Sequence, residues 1–188
     1  MRLLIPASLI VILVLVVGLY FLARPKPARA ADPNVYEGLR GEALRFSPSD
    51  LGIHLPDDNL SAYGVVMDIG MGNNTATVTS FSSGDASLYL STGGGVIGGI
   101  GHDAVRQAAR AWVKTAQEHL SLFAPTTSFP HPADGHVRFF VLTNRGALTA
   151  DVSEERLKDG SDEQLLPMWG AGQNVITAIR LSTHQPPD

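Results

Sequence analysis

The chain has 188 residues, with 14 basic and 18 acidic side chains and no cysteine. All the acidic residues lie at Asp32 or beyond but only ten of the basic ones do, which gives that region a net charge of −8. This composition excludes disulfides, thiolate nucleophiles and cysteine-bound metals, and it leaves no basic footprint for nucleic acid.

The first element in chain order is apolar. Leu3 to Ala23, LLIPASLIVILVLVVGLYFLA, carries no charge, and about 21 residues at 1.5 Å each span a hydrocarbon core of roughly 30 Å. Residues 3–23 are therefore expected to form one transmembrane helix whose partner is the lipid bilayer. Pro6 falls near its first turn, and Tyr20 and Phe21 suit the interface. The alternative is a signal peptide cleaved near Ala30, since Ala28-Arg29-Ala30 has the small-x-small pattern. An uncleaved anchor is favoured, because the apolar run is longer than a signal peptide needs and Arg24, Lys26 and Arg29 would have to cross. More positive charge follows the span than precedes it, by one charge if the amino terminus is counted. The positive-inside rule then places the C-terminal domain in the cytoplasm, the alternative being an extracytoplasmic or secreted domain.

Residues 24–34 hold Pro25, Pro27 and Pro33 and are expected to be a semi-extended linker. Residues 35–188 are expected to form a single globular domain large enough for a hydrophobic core. Val35–Phe46 predicts a short helix with Leu39, Ala43 and Phe46 on one side, opposed by Gly38 and Gly41. Residues 47–59 are predicted to be loop. Strands are predicted at Tyr63–Met71, Thr75–Ser82 and Ala86–Thr92, joined by the tight turns Gly72–Asn74 and Ser83–Asp85. In the first, Val65, Met67 and Ile69 share one face, with Val66 and Asp68 on the other.

Asp103–Leu120 has helical period, with Val105, Ala109, Trp112, Ala116 and Leu120 inward and Arg106, Arg110 and Lys114 opposite. A second hairpin is predicted over His136–Asn144 and Ala147–Val152. A last helix is predicted over Asp162–Leu181, burying Leu165, Trp169, Ile176 and Ile179 and bringing Gly170 and Gly172 close to the sheet. The order β-β-β-α-β-β-α implies an α+β fold, a largely antiparallel sheet with helices packed on it.

The candidate ligand-binding residues lie between the third strand and the Asp103 helix: Gly93, Gly94, Gly95, Gly98, Gly99 and His102. Gly93-x-Gly95-x-x-Gly98 fits the dinucleotide fingerprint in letters, but the helix starts about five residues too late. A phosphate-binding P-loop is excluded, because His102 follows Gly101 where lysine is required. An anion at the helix N-terminus remains possible, opposed by Asp103 at the cap. The structural alternative is a strand-to-helix joint with Val96, Ile97 and Ile100 tucked inward.

Asp68 is a possible buried acid, for which Arg138 or His136 would be the partner, although an outward-facing acid is the commoner reading of an alternating strand. His131, Asp134 and His136 lack a familiar zinc spacing, so no metal is expected, and no cofactor is implied.

The run SSGDASLYLSTGGGVIGGIGHDAVRQAARAWV resembles a segment of uncharacterised bacterial single-pass membrane proteins, which share S-L-Y-x-S-x-G-G-G-x-I-G. The resemblance implies a bacterial source and a recurring small domain, with no activity attached. Together these features lead to the expectation of a membrane-anchored module that binds a protein partner or serves an assembly, leaning away from an enzyme. The alternative is a sensor or enzyme that binds a small anionic ligand at the glycine loop.

Overall fold

The computed structural model describes residues 33–183 apart from Asp57; the expected span at 3–23, nearly all of the linker and a signal-cleavage site near Ala30 lie outside them. No helix among the described residues is long and apolar enough to cross a membrane. The elements run α1 (Pro33–Ala43), β1 (Ala62–Met71), β2 (Asn74–Phe81), β3 (Ala86–Leu90), β4 (Gly95–Val96), α2 (Asp103–Glu118), β5 (Ala124–Thr126), β6 (His136–Thr143), β7 (Gly146–Ser153), α3 (Glu154–Lys158) and α4 (Leu166–Ser182).

The fold is α+β, with one seven-stranded antiparallel sheet in the order β4-β3-β2-β1-β6-β7-β5. The expected hairpins form its centre. The sequence pattern does not reveal β4 and β5, because two and three residues are too few to show alternation. These short strands end the sheet, and Pro125 in β5 lacks an N–H, so neither edge offers a long template for another strand.

One face of the sheet carries Val65, Met67, Val78, Val137, Phe139 and Val141, all fully buried. They pack in one core with Val105, Ala109, Trp112 and Ala116 of α2 and Met168, Val175 and Ile179 of α4. The α4 helix begins four residues later than its pattern predicts. The Leu165 amide bonds the Asp162 carboxylate at 3.1 Å and the Leu166 amide bonds the Asp162 carbonyl at 3.1 Å, which makes a turn of the segment before the helix. Pro167 then falls in the first turn, where its missing N–H is harmless. Met168 and Val175 take the core positions, and Trp169 and Ile176 are only half-buried.

The other face departs from the alternation argument. Val66, Asp68, Thr77, Thr79 and Phe140 all point to it and are all buried. Leu44, just beyond α1, and Phe129 pack on Val66 and Phe140, while Ala43 and Phe46 join Tyr63, Phe81 and Leu142 in a further cluster. The first strand is thus covered on both sides. Asp68 is completely inaccessible, and its cationic partner is Arg40 of α1 rather than Arg138 or His136.

A paired test of the α4 packing follows from its two glycines. A methyl at Gly172 would lie 2.8 Å from Met67 Cε and 2.9 Å from Trp112 Cζ2, whereas one at Gly170 meets nothing within 4 Å. Gly172→Ala is expected to destabilise by about 1–3 kcal/mol through overpacking, and Gly170→Ala to stabilise by up to about 1 kcal/mol through helix propensity. Urea unfolding midpoints of the two variants check the opposite signs.

Candidate functional site

Charged chemistry within the core is concentrated at Asp68. Arg40 Nε and Nη2 donate to Asp68 Oδ2 at 2.9 and 2.6 Å, and Thr77 Oγ1 donates to Oδ1 at 2.5 Å. Arg40 Nη2 also donates to the Phe129 carbonyl at 3.0 Å, and its guanidinium lies 5.8 Å from the centre of the Phe140 ring. Tyr36, one turn earlier on α1, places its hydroxyl 2.8 Å from Thr77 Oγ1. Both carboxylate oxygens are therefore satisfied, as a buried acid requires. Arg138 lies across from Asp68 in register, but its Nε donates to Asp151 Oδ2 at 2.9 Å. His136 Nδ1 lies 2.6 Å from Asp151 Oδ1, so both expected partners serve an exposed acid instead.

The glycine loop has a different character. Gly93, Gly94, Gly95 and Gly98 all have positive φ, at 97°, 83°, 142° and 71°, a region that glycine enters without penalty. Gly93–Gly95 close the β3–β4 turn, where the Gly93 amide bonds the Leu90 carbonyl at 2.9 Å. Gly99 is buried because the loop lies against α2; an added Cβ would come within 2.7 Å of Val105 Cγ1. The Gly98 amide donates to Ser87 Oγ at 3.2 Å and the His102 amide to the Gly99 carbonyl at 3.2 Å. His102 is the extended residue that caps α2, and Asp103 is the first helical residue, bonded to Arg106.

The expectation that Val96, Ile97 and Ile100 tuck inward is met by one residue of the three. Val96 packs on the core, while Ile97 is 64% exposed and Ile100 is 41% exposed. The positive φ at Gly98 and the short 3-10 turn at Gly99–Gly101 turn the chain so that both isoleucines face outward.

The structure divides the sequence-predicted site residues. Gly98 borders a cavity together with Ile97, Ser87 and Tyr89, whereas Gly93, Gly94, Gly95, Gly99, His102 and Asp68 do not line it. Sequence reasoning missed Glu42, Asp85 and Tyr89, which also line it. The alternation of Ser87 and Tyr89 along β3 was the available signal, but it cannot say which face of a strand opens on a cavity. Among the described residues no group of three or more histidine or acidic side chains could hold a metal ion. No family model matches the chain, and it has no significant match among curated proteins or solved structures.

Two measurements test the buried network. Arg40→Met leaves Asp68 charged without its cation and is expected to destabilise by about 3–5 kcal/mol, most of which Arg40→Met/Asp68→Leu should recover. Urea unfolding of the single and double variants distinguishes the two costs. Burial pushes the Tyr36 phenol up to about 12, with the Thr77 hydrogen bond opposing and the Asp68 charge adding to the rise. A group held more tightly protonated when folded contributes stability that is complete below pH 10 and is lost as pH rises through about 12. Tyr36→Phe should flatten that alkaline loss, and tyrosinate absorbance should lose one component near pH 12.

Proposed function

We propose that this protein is a membrane-anchored interaction module, held in the bilayer by residues 3–23 and presenting its α+β domain to a protein partner on the cytoplasmic side. The observation that carries the reading is the outward pair Ile97 and Ile100 on the glycine loop. Two apolar side chains three residues apart on a loop tied down by the Gly93 and Gly98 hydrogen bonds form a preorganised contact point rather than scattered exposure. The alternative, a small anion bound at the loop, draws on the open space beside Gly94 and Gly98. Against it stand the Gly98 amide, already bonded to Ser87, and the Asp103 carboxylate in the first turn of α2.

A photo-crosslinking amino acid placed at Ile97 or Ile100 of the full chain in its native membrane is expected to give one discrete protein adduct, and the same group at Glu163 none. Adducts to lipid alone, or equal labelling from Glu163, would overturn the protein-partner reading. A reporter fused after Asp188 that is active only outside the cytoplasm would reverse the orientation.

A further inference from the structure

We propose that the cavity between α1, β3 and the glycine loop binds an organic ammonium ion, a cationic head on a short apolar stem. The cavity has a volume of about 280 Å³ and opens to the surface between Leu39 and Glu42 of α1, Asp85 and Tyr89 on the sheet side, and Ile97 of the loop. That volume suits one side chain or a small amine rather than a nucleotide.

Three independent features of the lining select the charge. Glu42 and Asp85 both face the cavity, and neither carboxylate has a cation or a hydrogen-bond donor among the described residues. The arginines packed beside Gly84, next in the chain to Asp85, are committed elsewhere: Arg110 donates to the Ser83 carbonyl at 2.7 Å, and Arg106 to the Ile100 carbonyl at 2.5 Å and to Asp103. Tyr89 is largely buried, but its hydroxyl makes no hydrogen bond among the described residues and stays open to solvent, where it can accept from a ligand.

The third feature is the wall itself. Phe46, Phe81 and Tyr89 surround the space, with Phe46 and Phe81 edge to face at 5.7 Å. Aromatic rings beside carboxylates are the standard recognition chemistry for ammonium groups, since ring faces and acids both attract the cation while the stem takes the apolar surface.

The energetics of Asp85 agree with a site awaiting a cation. Partial burial pushes its carboxyl above the ordinary carboxylate range, so the ionised form is a liability to the free fold at neutral pH. The region's surplus of acidic side chains adds a favourable field for a cation.

The test is an amide NMR titration of the full chain in nonionic micelles with hexylammonium chloride, with hexanol and sodium hexanoate as matched controls. Saturable shifts centred on Ser87, Tyr89 and Gly98 are expected for hexylammonium. Hexanol and hexanoate should bind at least about tenfold more weakly, which corresponds to about 1.4 kcal/mol. Asp85→Asn should abolish the shifts and Glu42→Gln weaken them. Asp85→Asn should also raise the melting temperature of the free protein, so lost binding is not lost folding.

A further arm separates sources. If acetyl-Leu-Lys-Leu-amide binds at least about tenfold more tightly than hexylammonium, the ammonium is a partner's lysine; if it binds no better, the ligand is a free amine. Equal binding of hexanol, or shifts that persist in Asp85→Asn/Glu42→Gln, would overturn the proposal. Crosslinking from Ile100 that survives in that double variant would leave the interaction-module reading standing while the cavity assignment fails.

Discussion

The ion pair between Arg40 and Asp68 organises one whole side of this domain. Burying two charges costs several kcal/mol for each unless every lone pair and proton finds a partner. Here Thr77 donates to one Asp68 oxygen, Arg40 donates to the other through Nε and Nη2, and Nη2 also reaches the Phe129 carbonyl. Removing any one of these partners leaves a buried group unsatisfied, so α1 fits the sheet in one position only. Tyr36, Arg40 and Leu44 stand at helical spacing and reach Thr77, Asp68 and Phe140 in turn. Those contacts hold together a helix in which Gly38 and Gly41 would cost about 1 kcal/mol each relative to alanine.

With α1 seated, the geometry of the opposite end of that face follows. The last turn of α1 places Glu42, with Phe46 just beyond it, beside Asp85 and Tyr89, and the glycine loop closes the remaining side with Ile97. The loop owes its shape to the β3–β4 turn, where consecutive positive-φ glycines reverse the chain within a few residues of the sheet edge. The same turn that makes β4 too short to recruit another strand leaves Ile97 and Ile100 outside the core. The exposed isoleucines and the acid-lined cavity are therefore neighbours for one reason, the path of the chain between β3 and α2.

Much of the architecture was legible along the chain. Val105, Ala109, Trp112 and Ala116 lie on one face of α2 and all four are buried, as a 3.6-residue period requires. The hairpin turns near Gly72 and Gly146 stand where glycine permits the needed φ. The difficulties arose where two elements had to be known together. Asp68 stood between a buried and an outward acid because alternation assumes one wet face, and only the folded chain brings Arg40 to it across 28 residues. Ile97 and Ile100 looked like core residues because apolar character signals burial on average and carries no information about the direction of a loop. Asp162 looked helical because a turn ending in a bond to its own side chain differs from a first helical turn only in geometry.

By itself the sequence determined the elements whose signals are local: the strand and helix periods, the glycine turns, the acidic balance of the region beyond Asp32 and the candidate loop between β3 and α2. Each of these depends on side chains a few residues apart. Tertiary structure alone decided which face of the central strand is covered, which cation answers Asp68, and that Glu42, Asp85 and Tyr89 line one cavity while Ile97 and Ile100 turn outward. Those outcomes depend on contacts between segments tens of residues apart, whose free energy exists only after the chain has closed the loops between them.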